Sequence, residues 1–490
     1  MKYKLNLLNS IYSNVLKYPH KTCIVDGNKD LSYEQFWLKS LMYANYLKNN
    51  SLYTSPKVCI FESQTYFDYI SMIGTLLAGG YYIPINKLTP INKIKKIIKL
   101  TRANFFSSAF ITLEEEKKIK IKKICKKIFE KKIEIKKNIK LNNSNLAYIL
   151  FTSGTTGTPK GVKITKKNLD YYCMWLKKKF NFDNKISCSQ IPSIGFDLSV
   201  ADIYLSLCSG SKLVVADKFD LMFPAKMIFI KRINHLVCTP SLIDYINSSN
   251  QLKKKYFKSL KSIFFCGEPL YQSQVEAVFK ANPRISIINS YGPTESTVSI
   301  TYILIKKRNY KNFSNETISI GKTIKNCEIL LVDKKMRENK KEGEILISGK
   351  QLSPGYHLMP IENKKKFIKF KGKRFYKTGD FAYKYKNNLY FKNRIDHQIK
   401  IKGHRVEINE VNSFIRKFGV KNVYTIFDGK KIHSIIEDSK INLFMLDRYL
   451  KKNLENYKLP ELVNIKKFKL NKNGKVDIHH LKKFISKKYD

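Results

Sequence analysis

The residues best suited to chemistry form a loop rich in Ser, Thr and Gly within residues 146–169, which read LAYILFTSGTTGTPKGVKITKKNL. An apolar run of strand length precedes the loop, and Pro159, Lys160 and Gly161 end it. Glycines let a backbone approach a phosphate closely, and hydroxyl and amide groups donate to phosphate oxygens. The loop lacks the G-x-x-x-x-G-K-[ST] pattern of an ordinary P-loop. A mobile surface turn is the alternative, and we expect a phosphate-binding loop of another type.

Further motifs with chemically active side chains follow in a defined order. In NSYGPTES, residues 289–296, a Gly-Pro turn presents an aromatic ring, a hydroxyl and a carboxylate together. The other motifs are LLAGGYYIPIN at 76–86, YKTGD at 376–380, NRIDHQIKIKGHRVEINEVN at 393–412 and KNGKVD at 472–477. With the phosphate loop, they resemble the adenylate-forming superfamily of acyl-CoA synthetases, amino-acid adenylation domains and luciferases. The resemblance covers the whole chain, in the family's order and spacing.

The resemblance implies that the protein binds ATP and Mg²⁺. Tyr291 would stack on adenine, Asn289 would bond its amino edge, and Thr294 would contact phosphate. Glu295 would bind Mg²⁺, which prefers hard carboxylate oxygens. A structural turn with a solvated glutamate is the alternative. The implied ATP-binding residues are Thr152, Ser153, Gly154, Thr155, Thr156, Gly157, Lys160, Asn289, Tyr291, Gly292, Thr294, Asp380 and Arg394.

Asp380 and Arg394 belong to the ribose end of the implied nucleotide site. A carboxylate such as Asp380 can accept both hydroxyls of a vicinal diol, and Arg394 would support the nucleotide near a junction of two lobes. Asn393 stands where the family usually has glycine before this arginine. Because asparagine tolerates left-handed backbone geometry, we expect the turn at this position to be kept.

Lys475, in NKNGKVD, is the catalytic residue that the resemblance implies. In the family, the matching lysine bridges the substrate carboxylate and the α-phosphate and neutralises charge in the transition state. A lysine in so basic a chain is ordinarily solvated, and the surrounding G-K-x-D pattern favours the catalytic role. The resemblance also implies a hinge at Asp396 and a thiol channel that the loop of Gly403 opens when the small lobe rotates.

Asp197 lies in SIGFDLSVADIYLSL, residues 193–207, at the start of an apolar-periodic segment. Aspartate is a favoured helix N-cap, so a structural role is one interpretation. The segment also resembles the F-D-x-S motif of amino-acid adenylating members, whose aspartate pairs with the substrate's α-ammonium. An acid in an apolar pocket wall needs a charged partner. The implied substrate-binding residues are Asp197, Leu198, Ala201, Val237, Phe264, Cys266, Ser290, Val298 and Ser299.

The implied pocket suits a small amino acid, because Phe264 and apolar neighbours restrict it and no second acid or base is present. Residues 236–299 and the F-D-L-S-V at Phe196–Val200 resemble the superfamily branch that activates D-alanine for teichoic acid esterification. In that branch the cysteine matching Cys266 crowds the α-carbon and favours the D-enantiomer; a small buried hydrophobe is the alternative. Ala201 stands where that branch has a larger methionine, which leaves more room in the implied pocket. D-alanine is therefore expected, while L-proline and other small amino acids stay open.

The acceptor of the activated amino acid is expected to be a separate protein. The chain contains no Gly-Gly-His-Ser or Gly-Gly-Asp-Ser phosphopantetheine attachment site and no H-H-x-x-x-D-G condensation motif. A carrier protein, or coenzyme A, would therefore supply the thiol for a thioester. An acyl-CoA synthetase for a small acid is a rival that Asp197 disfavours. A catalytically inactive, basic nucleic-acid-binding protein is a second rival, which the intact motifs disfavour.

Length and patterning predict the architecture. A chain of 490 residues exceeds what one hydrophobic core usually serves. Apolar strand-length runs alternate with helical stretches such as Tyr66–Ala78 and Gln272–Ala281, which indicates an α/β fold. The pattern of elements also changes near Arg394–Asp396. The resemblance implies a large N-terminal lobe of layered α/β subdomains at 1–393, a hinge at 394–396 and a small mobile α+β lobe at 397–490. The lysine-isoleucine stretch 114–140 is expected to be a solvated amphipathic surface element.

Composition limits the possible partners and compartments. Lys and Arg number 92 against 39 Asp and Glu, a formal charge of +53. The lysines are spread over nearly every segment, which favours a coding bias over a nucleic-acid-binding face. Nine cysteines without a C-x-x-C pair fit unbridged thiols in a reducing cytosol. With no signal-peptide pattern and no run of about 20 apolar residues, we expect a soluble, cytoplasmic monomer.

Overall fold

The computed structural model of the protein describes residues 3, 5–27, 29–51, 55–109, 121–130, 144–152, 159–180, 182–395, 398–401, 404–438, 441–469 and 476–489. The helices are α1 Asn6–Lys17, α2 Tyr33–Asn49, α3 Tyr66–Leu77, α4 Ile91–Thr101, α5 Lys166–Phe180, α6 Ser199–Ser209, α7 Lys218–Met222, α8 Pro224–Ile230, α9 Ser241–Ser248, α10 Gln272–Ala281, α11 Pro360–Lys366, α12 Ile408–Lys417, α13 Leu443–Asn453 and α14 Ile478–Tyr489.

The strands match the apolar runs of the sequence. They are β1 Thr22–Asp26, β2 Lys29–Ser32, β3 Lys57–Phe61, β4 Tyr81–Ile85, β5 Phe105–Ser107, β6 Lys122–Ile124, β7 Leu146–Thr152, β8 Lys160–Thr165, β9 Ser187–Gln190, β10 Lys212–Val215, β11 His235–Cys238, β12 Ser262–Phe265, β13 Ser286–Tyr291, β14 Thr301–Ile305, β15 Lys322–Thr323, β16 Cys327–Val332, β17 Glu342–Gly349, β18 Gly355–Tyr356, β19 Phe367–Phe370, β20 Lys373–Tyr385, β21 Asn388–Arg394, β22 Gln398–Ile401, β23 His404–Glu407, β24 Val423–Phe427, β25 Ile432–Glu437 and β26 Glu461–Ile465.

The largest sheet positions most of the predicted pocket. Its strands run in the order β15-β14-β13-β12-β11-β9-β10-β1-β2. Strands β13, β12, β11, β9, β10 and β1 are parallel, with antiparallel strands at both ends. The carboxyl ends of β11, β12 and β13 therefore lie side by side. In open α/β sheets, ligands bind outside this edge.

The second sheet runs in the order β18-β8-β7-β4-β3-β5-β6. The pairs of β3 with β4 and β5, and of β4 with β7, are parallel. Helix α3 is buried along nearly its whole length, as expected for a helix that is apolar all round. The main apolar cluster joins α3, α5 and α6 to residues of both sheets. This layered arrangement confirms the predicted α/β fold.

A third, antiparallel sheet carries the YKTGD motif. Its strands run β16-β17-β20-β19, and β21 pairs with β20. The register places Asp380 of β20 directly opposite Arg394 of β21. Adjacent strands thus bring together two residues that the sequence analysis assigned to the nucleotide.

The chain divides into two compact units. The first comprises Met1–Lys87, Ile98–Phe151 and Gly161–Ile395; the second comprises Leu88–Ile97, Thr152–Lys160 and Asp396–Asp490. The predicted lobes at 1–393 and 397–490 and the hinge at 394–396 stay predictions.

The second unit is a small α+β assembly, as the fold prediction stated. It contains the β22–β23 hairpin and the sheet β24-β25-β26, packed with α12 and α13. Four charged side chains are buried together within it. Lys93 and Lys458 lie 2.6 Å and 2.9 Å from carboxylate oxygens of Glu455, and Lys458 lies 2.8 Å from Glu410.

The structure decides three local points of the sequence analysis. Asn393 lies within β21, opposite Phe381, and not in a left-handed turn, because the strand continues through it. Of the stretch 114–140, only residues 121–130 are described. In this part Ile124 and Ile128 are buried while the lysines are exposed or half-buried, and β6 pairs with β5 at the edge of the second sheet, so it is an amphipathic surface element. Asp197 does not cap a helix, because α6 begins at Ser199 with Leu198 at the cap position.

Among the described residues, no helix combines the length and the apolar character that a membrane span requires.

Candidate active site

Asp380 is the centre of the predicted ribose end of the site. Its carboxylate is 3% exposed; Oδ2 accepts a hydrogen bond of 2.6 Å from the Tyr291 hydroxyl, and Oδ1 is paired with Arg394. Arg394 also donates to the Thr378 carbonyl. An ionised carboxylate has about four acceptor positions, so these two contacts orient Asp380 and leave acceptor capacity for a diol.

Asn289 and Gly292 shape the predicted adenine end. The Asn289 amide nitrogen donates to the Ser319 carbonyl at 2.9 Å, which directs the amide oxygen to act as the acceptor that an exocyclic amino group needs. Gly292 cannot carry a side chain, since a Cβ would lie 2.5 Å from the Cα of Ser299. The turn at Gly292 therefore packs directly on the segment that contains Val298 and Ser299.

Glu295 fits a magnesium ligand. It is fully buried, and its Oε1 accepts a 2.6 Å hydrogen bond from the Tyr356 hydroxyl, which lies 3.2 Å from the Tyr376 hydroxyl. Thr294, beside it, is also buried. The described part of the chain has no group of three or more His, Cys, Asp or Glu that could hold a metal ion by itself. One oriented carboxylate without softer ligands suits Mg²⁺, which usually takes one or two carboxylates plus phosphate and water oxygens.

The phosphate loop is described only at its two ends. Thr152 ends β7 and Lys160 begins β8, and the Thr152 hydroxyl donates to the Lys160 carbonyl at 3.4 Å. Lys160 is buried. The remaining predicted residues Ser153, Gly154, Thr155, Thr156, Gly157, Asp396, Gly403 and Lys475 lie outside the described residues, and their roles stay predictions.

A buried carboxylate from a distant segment positions the loop before Asp197. Glu62 accepts hydrogen bonds from the Ser193 hydroxyl at 2.7 Å and the Ile194 amide at 3.0 Å. Asn86, from the LLAGGYYIPIN motif, donates to the same Ser193 hydroxyl at 2.8 Å. Burial raises the pKa of Glu62, and the Ser193 hydrogen bond opposes that rise. These contacts fix the approach to Asp197, which is 6% exposed.

The predicted substrate-binding residues are all buried, and some of them are direct neighbours. Leu198, Ala201, Val237, Phe264, Cys266 and Val298 belong to a single apolar cluster, and Ser290 and Ser299 are also buried. Val237 of β11 is opposite Phe264 of β12, and the Cys266 thiol lies 3.9 Å from the Val298 carbonyl. Val237 and Phe264 thus form part of an apolar wall towards the carboxyl ends of two adjacent strands, and Cys266 follows the second of these strands and contacts Val298.

Two tyrosines near this wall were not predicted. The Tyr172 hydroxyl of α5 lies 3.2 Å from the Ser299 hydroxyl. Burial raises the pKa of Tyr172 and of Tyr148 well above the ordinary value, and the nearby Asp197 carboxylate adds to both rises. The phenols therefore stay neutral beside Asp197. No sequence signal marked either side chain, because Tyr148 lies in the apolar run before the phosphate loop and Tyr172 lies outside the motifs.

The backbone at Thr297 and Val298 is strained. Their φ angles are 58° and 70°, and a β-branched residue rarely adopts such values. Gln351, which is fully buried, donates from Nε2 to the carbonyls of Ser296, Thr297 and Ser299 at 3.2, 3.3 and 2.7 Å. Strain of this kind persists only where surrounding contacts enforce it. Gln351 is thus a positioning residue that the sequence analysis missed.

The comparisons with known proteins agree with this geometry. Residues 11–357 match the family described as AMP-binding enzyme. The chain therefore belongs to the AMP-binding enzyme family; it is an adenylate-forming, AMP-forming ligase of a class that uses ATP. The predicted superfamily and enzyme class are confirmed.

Two relatives have names that are more specific than the family description. The chain is 29% identical to the D-alanine–D-alanyl carrier protein ligase of Bacillus cytotoxicus, covering 96% of this chain and 98% of the relative. It is 27% identical to the same ligase of Bacillus licheniformis, covering 98% and 100%.

Solved structures share the fold. The adenylation domain AlmE of Vibrio cholerae, in complex with glycyl-adenosine-5'-phosphate, matches with a TM-score of 0.86, 22% identity and 99% coverage of each chain. Holo-PA1221, which contains adenylation and PCP domains, matches with a TM-score of 0.82, 20% identity and coverage of 97% of this chain and 83% of that one.

Proposed function

We propose that the protein uses ATP to convert a small amino acid, D-alanine in our assignment, into its aminoacyl-adenylate. It then transfers the aminoacyl group to the phosphopantetheine thiol of a separate carrier protein, in the cytoplasm. The observation that carries the proposal is the buried Asp197 carboxylate, whose charge acts on Tyr172, a neighbour of Ser299. A carboxylate in such low-dielectric surroundings attracts an α-ammonium strongly, whereas a simple carboxylic acid offers no cation.

In the first step, a carboxylate oxygen of the amino acid attacks the α-phosphorus of ATP, and the bond to the pyrophosphate leaving group breaks. Tyr291, Asn289 and Asp380 would bind adenine and ribose. Lys475 would neutralise charge that develops on the reacting oxygens. Mg²⁺, bound by Glu295 together with phosphate and water oxygens, would neutralise phosphate charge.

In the second step, the carrier thiolate attacks the carbonyl carbon of the adenylate, and AMP leaves with the bonding electron pair. A thioester forms between the aminoacyl group and the carrier. For this step, the small lobe at 397–490 would rotate about Asp396 relative to the large lobe at 1–393. The rotation would present the loop of Gly403 to the adenylate.

The contact between Cys266 and Val298 supports D-alanine as the substrate. Both residues belong to the apolar wall, together with Phe264, and these side chains favour a methyl group over a longer one. The names of the Bacillus relatives agree with this assignment and with a carrier protein as acceptor. Other small amino acids remain alternatives, because Ala201 adds little volume to the wall.

The first test is amino-acid-dependent exchange of labelled pyrophosphate into ATP, scanned over D-alanine, L-alanine, glycine, L-proline, L-serine and simple carboxylic acids. Strong exchange with D-alanine that Lys475→Ala abolishes is the expected result. Exchange with another amino acid alone would refute the D-alanine assignment, and exchange with a simple acid alone would favour a small-acid acyl-CoA synthetase. No exchange with any substrate would favour an inactive protein.

A matched pair of variants tests the role of Asp197. Asp197→Asn should abolish exchange, because the amide cannot balance the ammonium charge. Asp202, on the same segment, is fully buried, and burial raises its pKa well above the ordinary value, so it is poorly suited to pair with an ammonium group. Asp202→Asn should therefore leave exchange nearly unchanged. Equal losses in both variants would contradict a specific role for Asp197.

A further inference from the structure

The hydroxyl of Tyr148 is a buried polar group that the fold leaves unpaired. Tyr148 belongs to β7 and is 1% exposed, and its Oη has no hydrogen-bond partner among the residues that the structure describes. Buried polar side-chain atoms are nearly always paired, and an unpaired one lowers stability. An unpaired hydroxyl inside a native protein therefore calls for an explanation, and one explanation is a ligand that supplies the missing partner.

Neighbouring phenols are paired within the protein. Tyr82 of β4 lies opposite Tyr148 in the second sheet, and their two rings stack with centres 5.4 Å apart. The Tyr82 hydroxyl lies 3.0 Å from the hydroxyl of Tyr204, and the Tyr172 hydroxyl lies 3.2 Å from that of Ser299. This part of the core thus provides partners for two phenols and leaves the hydroxyl of Tyr148 without one.

Tyr148 lies near the start of the helix that follows Asp197. Tyr82 and Tyr148 are on one face of the second sheet, because they are opposite each other and stacked. Tyr204, which Tyr82 contacts, belongs to α6, and α6 begins two residues after Asp197. Burial raises the pKa of Tyr148, and the charges of Tyr82 and Asp197 add to the rise. The phenol and the Asp197 carboxylate are therefore close enough to interact.

The segment of Asp197 is in turn a neighbour of the segment of Cys266. A Cβ on Gly267 would lie 3.3 Å from the ring of Phe196, so the residues that adjoin Cys266 and Asp197 are in contact. Tyr148 and Cys266 belong to one apolar cluster, and Phe196 packs against it. The unpaired hydroxyl therefore lies on the Asp197 side of the predicted amino-acid pocket.

We propose that the Tyr148 hydroxyl binds the α-ammonium group of the amino-acid substrate, together with the Asp197 carboxylate. This inference rests on the proposed function, because it needs an amino acid as substrate. An ammonium group has three N–H donors, and a phenolic oxygen accepts a hydrogen bond while it keeps its own proton. Tyr148 is then a substrate-binding residue that favours amino acids over simple carboxylic acids.

A neutral acceptor suits this position better than a second acid. A second carboxylate beside Asp197 would be repelled by it, and the bound ammonium group would balance only one of the two charges. A phenol adds a hydrogen bond and no charge. The bound state then contains one ammonium group against one carboxylate, and the buried hydroxyl gains the partner that it lacks in the empty site.

The test compares Tyr148→Phe with the unmodified full chain in amino-acid-dependent pyrophosphate exchange. Phenylalanine keeps the stacked ring and removes only the hydroxyl. The KM for D-alanine should rise roughly 10- to 100-fold, as expected for the loss of a hydrogen bond to a charged group. The KM for ATP should not change. If the scan selects another amino acid, that amino acid replaces D-alanine in each measurement.

Chemical denaturation without substrate separates binding from structure. Because the Tyr148 hydroxyl has no partner among the described residues, its removal should leave the denaturation midpoint unchanged or raise it. Tyr82→Phe is the matched control, since it removes a hydroxyl that is paired with Tyr204. This control should lower the midpoint and leave the KM for D-alanine unchanged.

Propionate shows which part of the substrate the hydroxyl contacts, because it has the carbon skeleton of alanine without the ammonium group. Its inhibition constant against D-alanine-dependent exchange should be the same in Tyr148→Phe and in the unmodified protein. Equal weakening of propionate and D-alanine would overturn the assignment to the ammonium group.

The remaining outcomes separate this inference from the proposed function. An unchanged KM for D-alanine in Tyr148→Phe would overturn the inference and leave the proposed function intact. A lowered midpoint with an unchanged KM would overturn it as well, and would give the hydroxyl a structural role. If the unmodified protein showed no exchange with any amino acid, the inference and the proposed function would both fail.

Discussion

Replacing Gln351 by methionine should distort the predicted amino-acid pocket, although Gln351 is not one of the residues predicted to line it. Methionine has nearly the same volume but donates no hydrogen bond, so the carbonyls of Ser296, Thr297 and Ser299 lose their shared donor. A buried acceptor left unsatisfied costs about 1–3 kcal/mol. Because only the Ser299 bond is short, we expect the lost hydrogen bonds to cost about 3 kcal/mol, from which the strain that Val298 releases is subtracted in the net free energy of unfolding.

The same substitution should weaken substrate binding. Val298 would relax from its φ of 70°, recovering about 1–3 kcal/mol of strain. When the amino acid binds, Val298 would have to return to its strained conformation, and this return costs the free energy that the relaxation released. At about 1.4 kcal/mol per tenfold change, the KM for the amino acid should rise roughly 10- to 100-fold.

The assay is amino-acid-dependent pyrophosphate exchange, combined with chemical denaturation. Gln274→Met is the matched control, because Gln274 is also a buried amide and donates to Asp244 at 2.6 Å. It should lower stability and leave the KM unchanged. The reasoning is refuted by a Gln351→Met protein that loses stability but keeps its KM, or by a control that raises the KM equally.

Three further predictions concern Glu295 and the buried charges of the second unit. Tyr356→Phe removes the 2.6 Å hydrogen bond to Glu295, which is worth about 1.5–3 kcal/mol for a charged acceptor. The Mg²⁺ concentration for half-maximal exchange should therefore rise about tenfold. An unchanged Mg²⁺ requirement would contradict the Mg²⁺ role of Glu295. Lys458→Met should cost about 3–5 kcal/mol in chemical denaturation, because it leaves buried carboxylates undercompensated, and a loss below about 1 kcal/mol would count against this. Burial alone would raise the pKa of Glu455, but the charges of Lys93 and Lys458 lower it below the unfolded value. Its stabilisation is therefore present above about pH 4.3 and lost as the pH falls, so acid titration should lower the free energy of unfolding less in Glu455→Gln than in the unmodified protein.

Much of the fold followed from the sequence because its signals are local. Buried strands such as LAYILFT are continuous apolar runs, and their length and β-branched content identify them without tertiary information. The segment Gln272–Ala281 forms the predicted helix because its apolar residues recur at helical spacing. Glycine and proline in the NSYGPTES motif mark a turn by backbone geometry alone.

Local signals failed where neighbours in space decide the conformation. Asp197 has the residue type of a helix cap, but Glu62 and Asn86 fix the preceding loop, and α6 begins two residues later. Asn393 can adopt a turn, but pairing with Phe381 keeps it extended. In both cases tertiary contacts outweigh a local preference of about 1 kcal/mol.

The sequence by itself therefore determined the family, the layered α/β class and the residue types of the site, since each depends on order and local pattern. Only the tertiary structure identified Gln351, Tyr356 and Tyr172 as neighbours of that site. Gln351 contacts carbonyls more than 50 residues earlier in the chain, and Tyr172 meets Ser299 across 127 residues. Contacts of this kind arise when strands and helices distant in the chain pack together, and no single stretch of sequence contains both partners.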